Sequence, residues 1–246
     1  MVFPNTKYQT PNTNLPLHSS GKNAPNFYPA MHKYLTEFIG VFFLSLVSIL
    51  VVTGNYSALA PLAIGAALTT VTGIGYGISG AHFNPVVSLA MLLRGKMDRT
   101  DIIYFILAQT LGAILAGTVA VFLMESSLSS IPEVEPRQNG GLAATVAEFF
   151  GAFAWTLVVM TTLLKTDQER NGGLLLGLTV MALGFALRDI SGGIFNPAVA
   201  VAWMISGMAF WADLPLYIIG PLLGAGAGAS LYYLMEKLQA ADEFKI

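Results

Sequence analysis

An all-α membrane protein, with six transmembrane helices and two half-membrane helices in an inverted repeat, is the fold class this sequence predicts. Three observations predict it. Of the 246 residues, 54% are hydrophobic and only 11% charged, against roughly 25% charged in a soluble domain, so lipid is the solvent for most of the surface. Six apolar runs reach the ~20 residues that a bilayer-spanning helix needs. One stretch occurs twice without a gap, as "SGAHFNPVVSLAMLLRG" (Ser79–Gly95) and "SGGIFNPAVAVAWMISG" (Ser191–Gly207).

Residues 1–33 carry Pro4, Pro11, Pro16, Pro25 and Pro29 among Asn, Thr, Ser and Lys. They hold no apolar run long enough for a signal peptide and predict a disordered cytoplasmic tail. The membrane domain is expected over 34–238, with a first repeat at about 34–125, a second at about 141–238, and a cytoplasmic tail at 239–246. Its spans are predicted at Tyr34–Thr53, Leu59–Ile78, Asp101–Met124, Gly141–Leu164, Gly172–Leu187 and Leu214–Leu234. Each quoted stretch falls after the second span of its repeat. From Asn84 to Arg94 is eleven residues, about 16 Å of helix, or half of the ~30 Å hydrocarbon layer.

Orientation follows from basic residues near the span ends. With the amino terminus inside, Lys7, Lys22, Lys33, Arg94, Lys96, Arg99, Lys165, Arg170, Lys237 and Lys245 are cytoplasmic, and only Arg137 and Arg188 are outside. A multi-pass protein of the cell membrane with both termini cytoplasmic is the expectation. The net charge is −2, so no global field recruits nucleic acid. The chain has no cysteine, which removes disulfide and thiol chemistry.

The repeat extends beyond the loops. "TEFIGVF" (Thr36–Phe42) matches "AEFFGAF" (Ala147–Phe153); Glu37 lies 47 residues before Asn84 and Glu148 lies 48 before Asn196. Each copy has three spans, and an odd number forces the copies to insert in opposite directions. The two loops therefore enter from opposite faces and meet near the midplane.

Asparagine followed by proline is an N-cap and first-turn signal, and a single Asn-Pro pair is structural. Duplication at bilayer depth changes that, because non-helical backbone there is tolerated where it is buried in protein or lines a watery cavity. Two half-helices pointing their N-termini at one place make a positive focus. Such a place admits neutral polar molecules and repels cations.

From Tyr34 onward the sequence resembles the aquaporin and aquaglyceroporin family, the major intrinsic proteins. The likeness rests on the paired Asn-Pro boxes, "SGAHFNP", the Glu37 and Glu148 signature, Gln109 in the third span and "GPLLGA" (Gly220–Ala225). It implies a homotetramer in the lipid bilayer, with a pore for water and small neutral solutes in every subunit and no cofactor. The midpoint boxes would be Asn84, Pro85, Val86 and Asn196, Pro197, Ala198. Backbone carbonyls of Gly80, Ala81, His82 and Phe83, with Gly192, Ile194 and Phe195 from the second loop, would form a ladder of acceptors. By family spacing the outer constriction falls at Ile64, Gly184, Gly193 and Val199.

Departures from the family bear on the solute. Val86 replaces the first box's alanine, and Val199 stands where an arginine is usual. Two glycines and two aliphatics predict a wide, uncharged outer opening, leaving the half-helix dipoles to repel cations. Ala200 and Val201 lean toward water channels, whereas Tyr217-Ile218 fits neither subgroup. An ion-conducting channel and a closed-pore structural or junction protein are the alternatives to a solute channel.

Glu37 and Glu148 are intramembrane carboxylates and functional candidates by default. Proton relay is one reading, and acceptance of hydrogen bonds from the loops, with Gln109 as a further support, is the favoured one. His82 reads as a neutral packing residue beside the first box, with gating by titration as the rival; His18 and His32 carry no signal. Arg188 either pairs with Asp189 at the surface or reaches into the outer mouth. "TGIGYG" (Thr72–Gly77) has the look of a potassium-channel filter, but it sits within a span, as does the run Gly224, Gly226 and Gly228, and both read as close helix packing. No metal-ligand spacing, nucleotide loop or nucleophile constellation occurs, so enzymatic activity is not expected.

Overall fold

The computed structural model describes residues 28–127, 141–163 and 169–243. The tail through Phe27, with Lys7 and Lys22, lies outside the described residues, as do Arg137, Lys165 and Lys245. Six described helices are long and apolar enough to cross a membrane, and two shorter ones interrupt them. In chain order they are α1 (Tyr28–Thr53), α2 (Ala60–Ser79), α3 (Pro85–Leu93), α4 (Asp101–Ser127), α5 (Gly141–Val158), α6 (Glu169–Ser191), α7 (Pro197–Ile205) and α8 (Leu214–Glu243). A single wider turn, Val159–Leu163, extends α5.

The expected domain limits differ from the observed ones at both ends. Tyr28 to Lys33, read as tail, form the first turns of α1, and residues 239–243, also read as tail, complete α8. Hydropathy marks only the lipid-facing part of a helix, whereas the backbone ladder continues past the hydrocarbon edge. Charge pairs hold these ends. Lys33 Nζ pairs with Asp101 at the start of α4, and Tyr34 donates to the same carboxylate at 2.6 Å. At the end of α3, Arg94 pairs with Glu236 of α8 and lies 4.5 Å from the Tyr233 ring centroid.

The two repeats use the same packing. Helix α1 lies against α4 as α5 lies against α8, α1 meets α2 as α5 meets α6, and α2 against α6 joins the halves. A side chain at Gly112 would strike the backbone of Phe38, and one at Gly224 that of Phe149, so small residues let these spans approach. At the seam, a Cβ on Gly65 would fall 2.6 Å from the Gly177 carbonyl. Close packing does not explain every glycine read that way. Gly75 meets Phe83 and Thr36, but Gly73, Gly77 and Gly226 face open space. The packed glycines of α8 are Gly220, Gly224 and Gly228, four apart and so on one face; Gly226 projects from another.

Helices α3 and α7 are nine residues each, roughly 14 Å long and too short to cross. Both pack into the opposite repeat, α3 on α5 and α8 and α7 on α1 and α4. Their N-termini meet in the core.

Candidate functional site

The duplicated loops have matching backbones. Positive φ occurs at Gly80 and Gly192 (86° and 93°), Ala81 and Gly193 (51° and 66°), and Phe83 and Phe195 (47° and 56°). For Ala81 and both phenylalanines this region is costly and persists only where the surroundings impose it. Both rings are locked by glycine notches, since a Cβ at Gly40 would overlap Phe83 and one at Gly151 would overlap Phe195.

A buried glutamate imposes each loop. Glu37 Oε1 accepts from Ser79 Oγ (2.6 Å) and the His82 N–H (3.0 Å), and Oε2 from the Phe83 N–H (2.7 Å) and Gln109 Nε2 (2.8 Å). Glu148 Oε1 likewise accepts from Ser191 Oγ (2.6 Å) and the Ile194 N–H (3.1 Å), and Oε2 from the Phe195 N–H (2.5 Å). Both serines accept the N–H two residues on, of Ala81 and Gly193, at 3.1 Å. These partners ask for acceptors only, which a carboxylate supplies.

Those bonds decide where the carbonyls point. In a planar trans peptide the C=O of residue i−1 opposes the N–H of residue i. With the N–H groups of residues 81–83 turned to Glu37 and Ser79, the carbonyls of Gly80, Ala81 and His82 face the other way. In the second loop the same holds for Gly192, Gly193 and Ile194. The carbonyls of Phe83 and Phe195 have another task, because each accepts an amide N–H from the opposite box.

That exchange joins the halves. Asn84 Nδ2 donates to the Phe195 carbonyl (3.0 Å) and Asn196 Nδ2 to that of Phe83 (2.7 Å). Each Oδ1 caps its own helix, accepting from the N–H of Val86 (3.1 Å) or Ala198 (3.0 Å), and Pro85 and Pro197 open the helices. An amide carries two N–H donors, and nothing among the described residues takes the second one on either asparagine. Both asparagines are 0% exposed from outside.

Cavities lie on both sides of the pair. On the first loop's side a cavity of about 370 Å³ is lined by Lys33, Ser79, His82, Lys96, Asp98 and Asp101. On the second loop's side is a vestibule of about 160 Å³, bounded by Ile64, Gly184, Arg188, Gly193 and Trp203. A chamber of about 20 Å³ shares Ile64, Val180, Gly193 and Trp203 with the vestibule and adds Ile194 and Val199. That is room for about one water.

Residues 26–233 match the family model described as "Major intrinsic protein". The chain belongs to the major intrinsic protein family. It is an integral, multi-pass membrane protein. A glycerol uptake facilitator protein-like 6 from Lactiplantibacillus plantarum is 32% identical over 79% of this chain and 94% of that protein. The lens fiber major intrinsic protein of Ovis aries is 32% identical over 74% and 71% of the two chains. In fold the chain is similar to the aquaglyceroporin of Plasmodium falciparum, with a TM-score of 0.67 at 21% identity, covering 82% of this chain and 93% of that one.

In this major intrinsic protein the four residues assigned to the outer constriction are shared between two cavities. Ile64, Gly184 and Gly193 border the vestibule, and Ile64, Gly193 and Val199 border the smaller chamber. Arg188 combines both readings of it. Its Nε lies 3.4 Å from Asp189, its Nη1 donates to the Ser57 carbonyl at 2.7 Å, and it lines the vestibule. His82 is 4% exposed with Nδ1 at 3.0 Å from Ser88 Oγ, which also accepts from Gln109 at 3.0 Å.

Three contributors escaped the sequence. Ser88 joins Gln109 and His82 beneath the first box. Tyr217, which fits neither subgroup, donates to the Ser191 carbonyl at 2.7 Å and so braces the second loop. Trp203 borders vestibule and chamber alike. The only hint of it was the repeat alignment, which pairs it with Met91.

Proposed function

We propose that this chain is a passive channel for water and small neutral solutes, whose pathway runs from the first loop's cavity past Asn84 and Asn196 to the vestibule. The observation that carries this is the reciprocal asparagine exchange. It leaves one amide N–H per asparagine at the junction of two half-helices, between cavities that reach opposite ends of the bundle. A passing solute replaces its hydration with these donors and with the outward-turned loop carbonyls. Water at the junction accepts from both asparagines, so its own protons point away from the centre in both directions and a proton wire is broken there. The two half-helix N-termini add positive potential, which opposes cations.

The name of the glycerol-facilitator relative supports a neutral-solute channel over an ion channel. The pathway is lined by one chain, which suits a homotetramer with one pore per subunit. Lys33, Arg94, Lys96 and Lys237 lie at the end where α1 and α4 begin, which supports cytoplasmic termini in a cell membrane. Stopped-flow light scattering on proteoliposomes of the full chain tests the function, with water, glycerol and urea gradients and a proton-sensitive dye. Osmotic water flux above that of empty liposomes, without proton flux, is expected. No flux, or ion current through a planar bilayer, overturns the reading.

A further inference from the structure

Val199 leaves an aliphatic stub where the outer constriction is expected, yet the chamber it borders is small, about 20 Å³ against about 160 Å³ for the adjoining vestibule. Resting on the channel reading above, we propose that Trp203 sets this bore and is the specificity-determining residue, selecting solutes of single-water size over polyols. Trp203 lies four residues after Val199 on α7, hence on the same helix face. Helical side chains slant toward the N-terminus and cover the preceding turn. The indole therefore covers the surface left bare by Val199, and it lines both cavities as well as the outer pocket beside Asp213.

The ring is fixed in place. Its Nε1 donates to Ser48 Oγ of α1 at 2.9 Å, and Ser48 in turn donates to the Ser45 carbonyl at 2.8 Å. Both residues are buried, at 7% and 2% exposure. The single polar atom of the indole is thus spent on α1, and the pathway meets hydrocarbon. The repeat places Met91 at the equivalent position of α3, a flexible side chain, so the rigid plug belongs to the outer half alone. A chamber holding one water passes water in file, while a three-carbon polyol must displace the ring.

The test compares glycerol and water permeability in proteoliposomes of the full chain and of the variants Trp203→Val, Trp203→Phe and Ser48→Ala. Trp203→Val is expected to raise the glycerol-to-water ratio by about tenfold, the equivalent of about 1.4 kcal/mol of barrier. Trp203→Phe and Ser48→Ala, which lose the anchoring bond but keep a ring, are expected to give smaller rises. If Trp203→Val misfolds and loses water flux, the other two variants decide. A wild-type ratio in every variant that still conducts water overturns the proposal. Absence of water flux in the unsubstituted chain defeats the channel reading instead.

Discussion

Replacing Glu148 by alanine removes the acceptor for Ser191 Oγ and for the N–H groups of Ile194 and Phe195. All three donors are buried. At about 1–3 kcal/mol for each of the two buried backbone N–H groups left unpaired, the cost is roughly 2–6 kcal/mol. Glu148→Gln behaves differently, because its remaining oxygen can keep Ser191 and Ile194 while its NH₂ faces the Phe195 N–H. One mismatched donor costs about 1–3 kcal/mol. Thermal unfolding in detergent, followed by tryptophan fluorescence, is expected to rank wild type above glutamine above alanine, with water flux in proteoliposomes following that order. Equal stability and flux for alanine and glutamine would refute the claim that the carboxylate frames the loop. Proton-coupled uptake lost in Glu148→Gln would restore the relay reading.

Further tests separate neighbouring roles. Gly151→Ala drives a methyl group into the locked Phe195 ring and is expected to cost about 1–3 kcal/mol; Gly226→Ala, facing open space, is expected to gain up to ~1 kcal/mol from helix propensity. Asn196→Ala removes the α7 cap, worth about 0.5–2 kcal/mol, together with the donor to Phe83, so reduced melting temperature and reduced water flux are expected together. Val199→Arg brings a charged side chain into a chamber with space for one water, and a fall in water permeability checks that this residue borders the pathway. Arg188→Gln takes away the one cationic side chain bordering the vestibule among the described residues, and planar-bilayer recordings are expected to show a cation leak that the unsubstituted chain lacks.

Much of the site was readable because its chemistry is local. Asn84 and Asn196 cap helices within two residues of themselves, and Pro85 and Pro197 open those helices by a constraint on one dihedral angle. Glu37 and Glu148 stood out through repetition, although neither repeat states what the carboxylate binds. Other contacts had no such signature. Asn84 reaches Phe195 across 111 positions and Trp203 reaches Ser48 across 155, and no periodicity encodes a bond of that separation. Gly73 and Gly226 were misread for the same reason, since the face a glycine presents to a neighbour depends on the rotation of its helix.

By itself the sequence determined six crossings, two half-length helices and their opposed insertion. Those follow from apolar run lengths set against bilayer thickness, and from an odd number of spans in each copy. Only the tertiary structure decided how the loops are tied to one another and which side chains line the cavities beside them. A bore is a difference of a few ångströms between packed surfaces, fixed by how far helices approach and turn. Composition and spacing leave those quantities free.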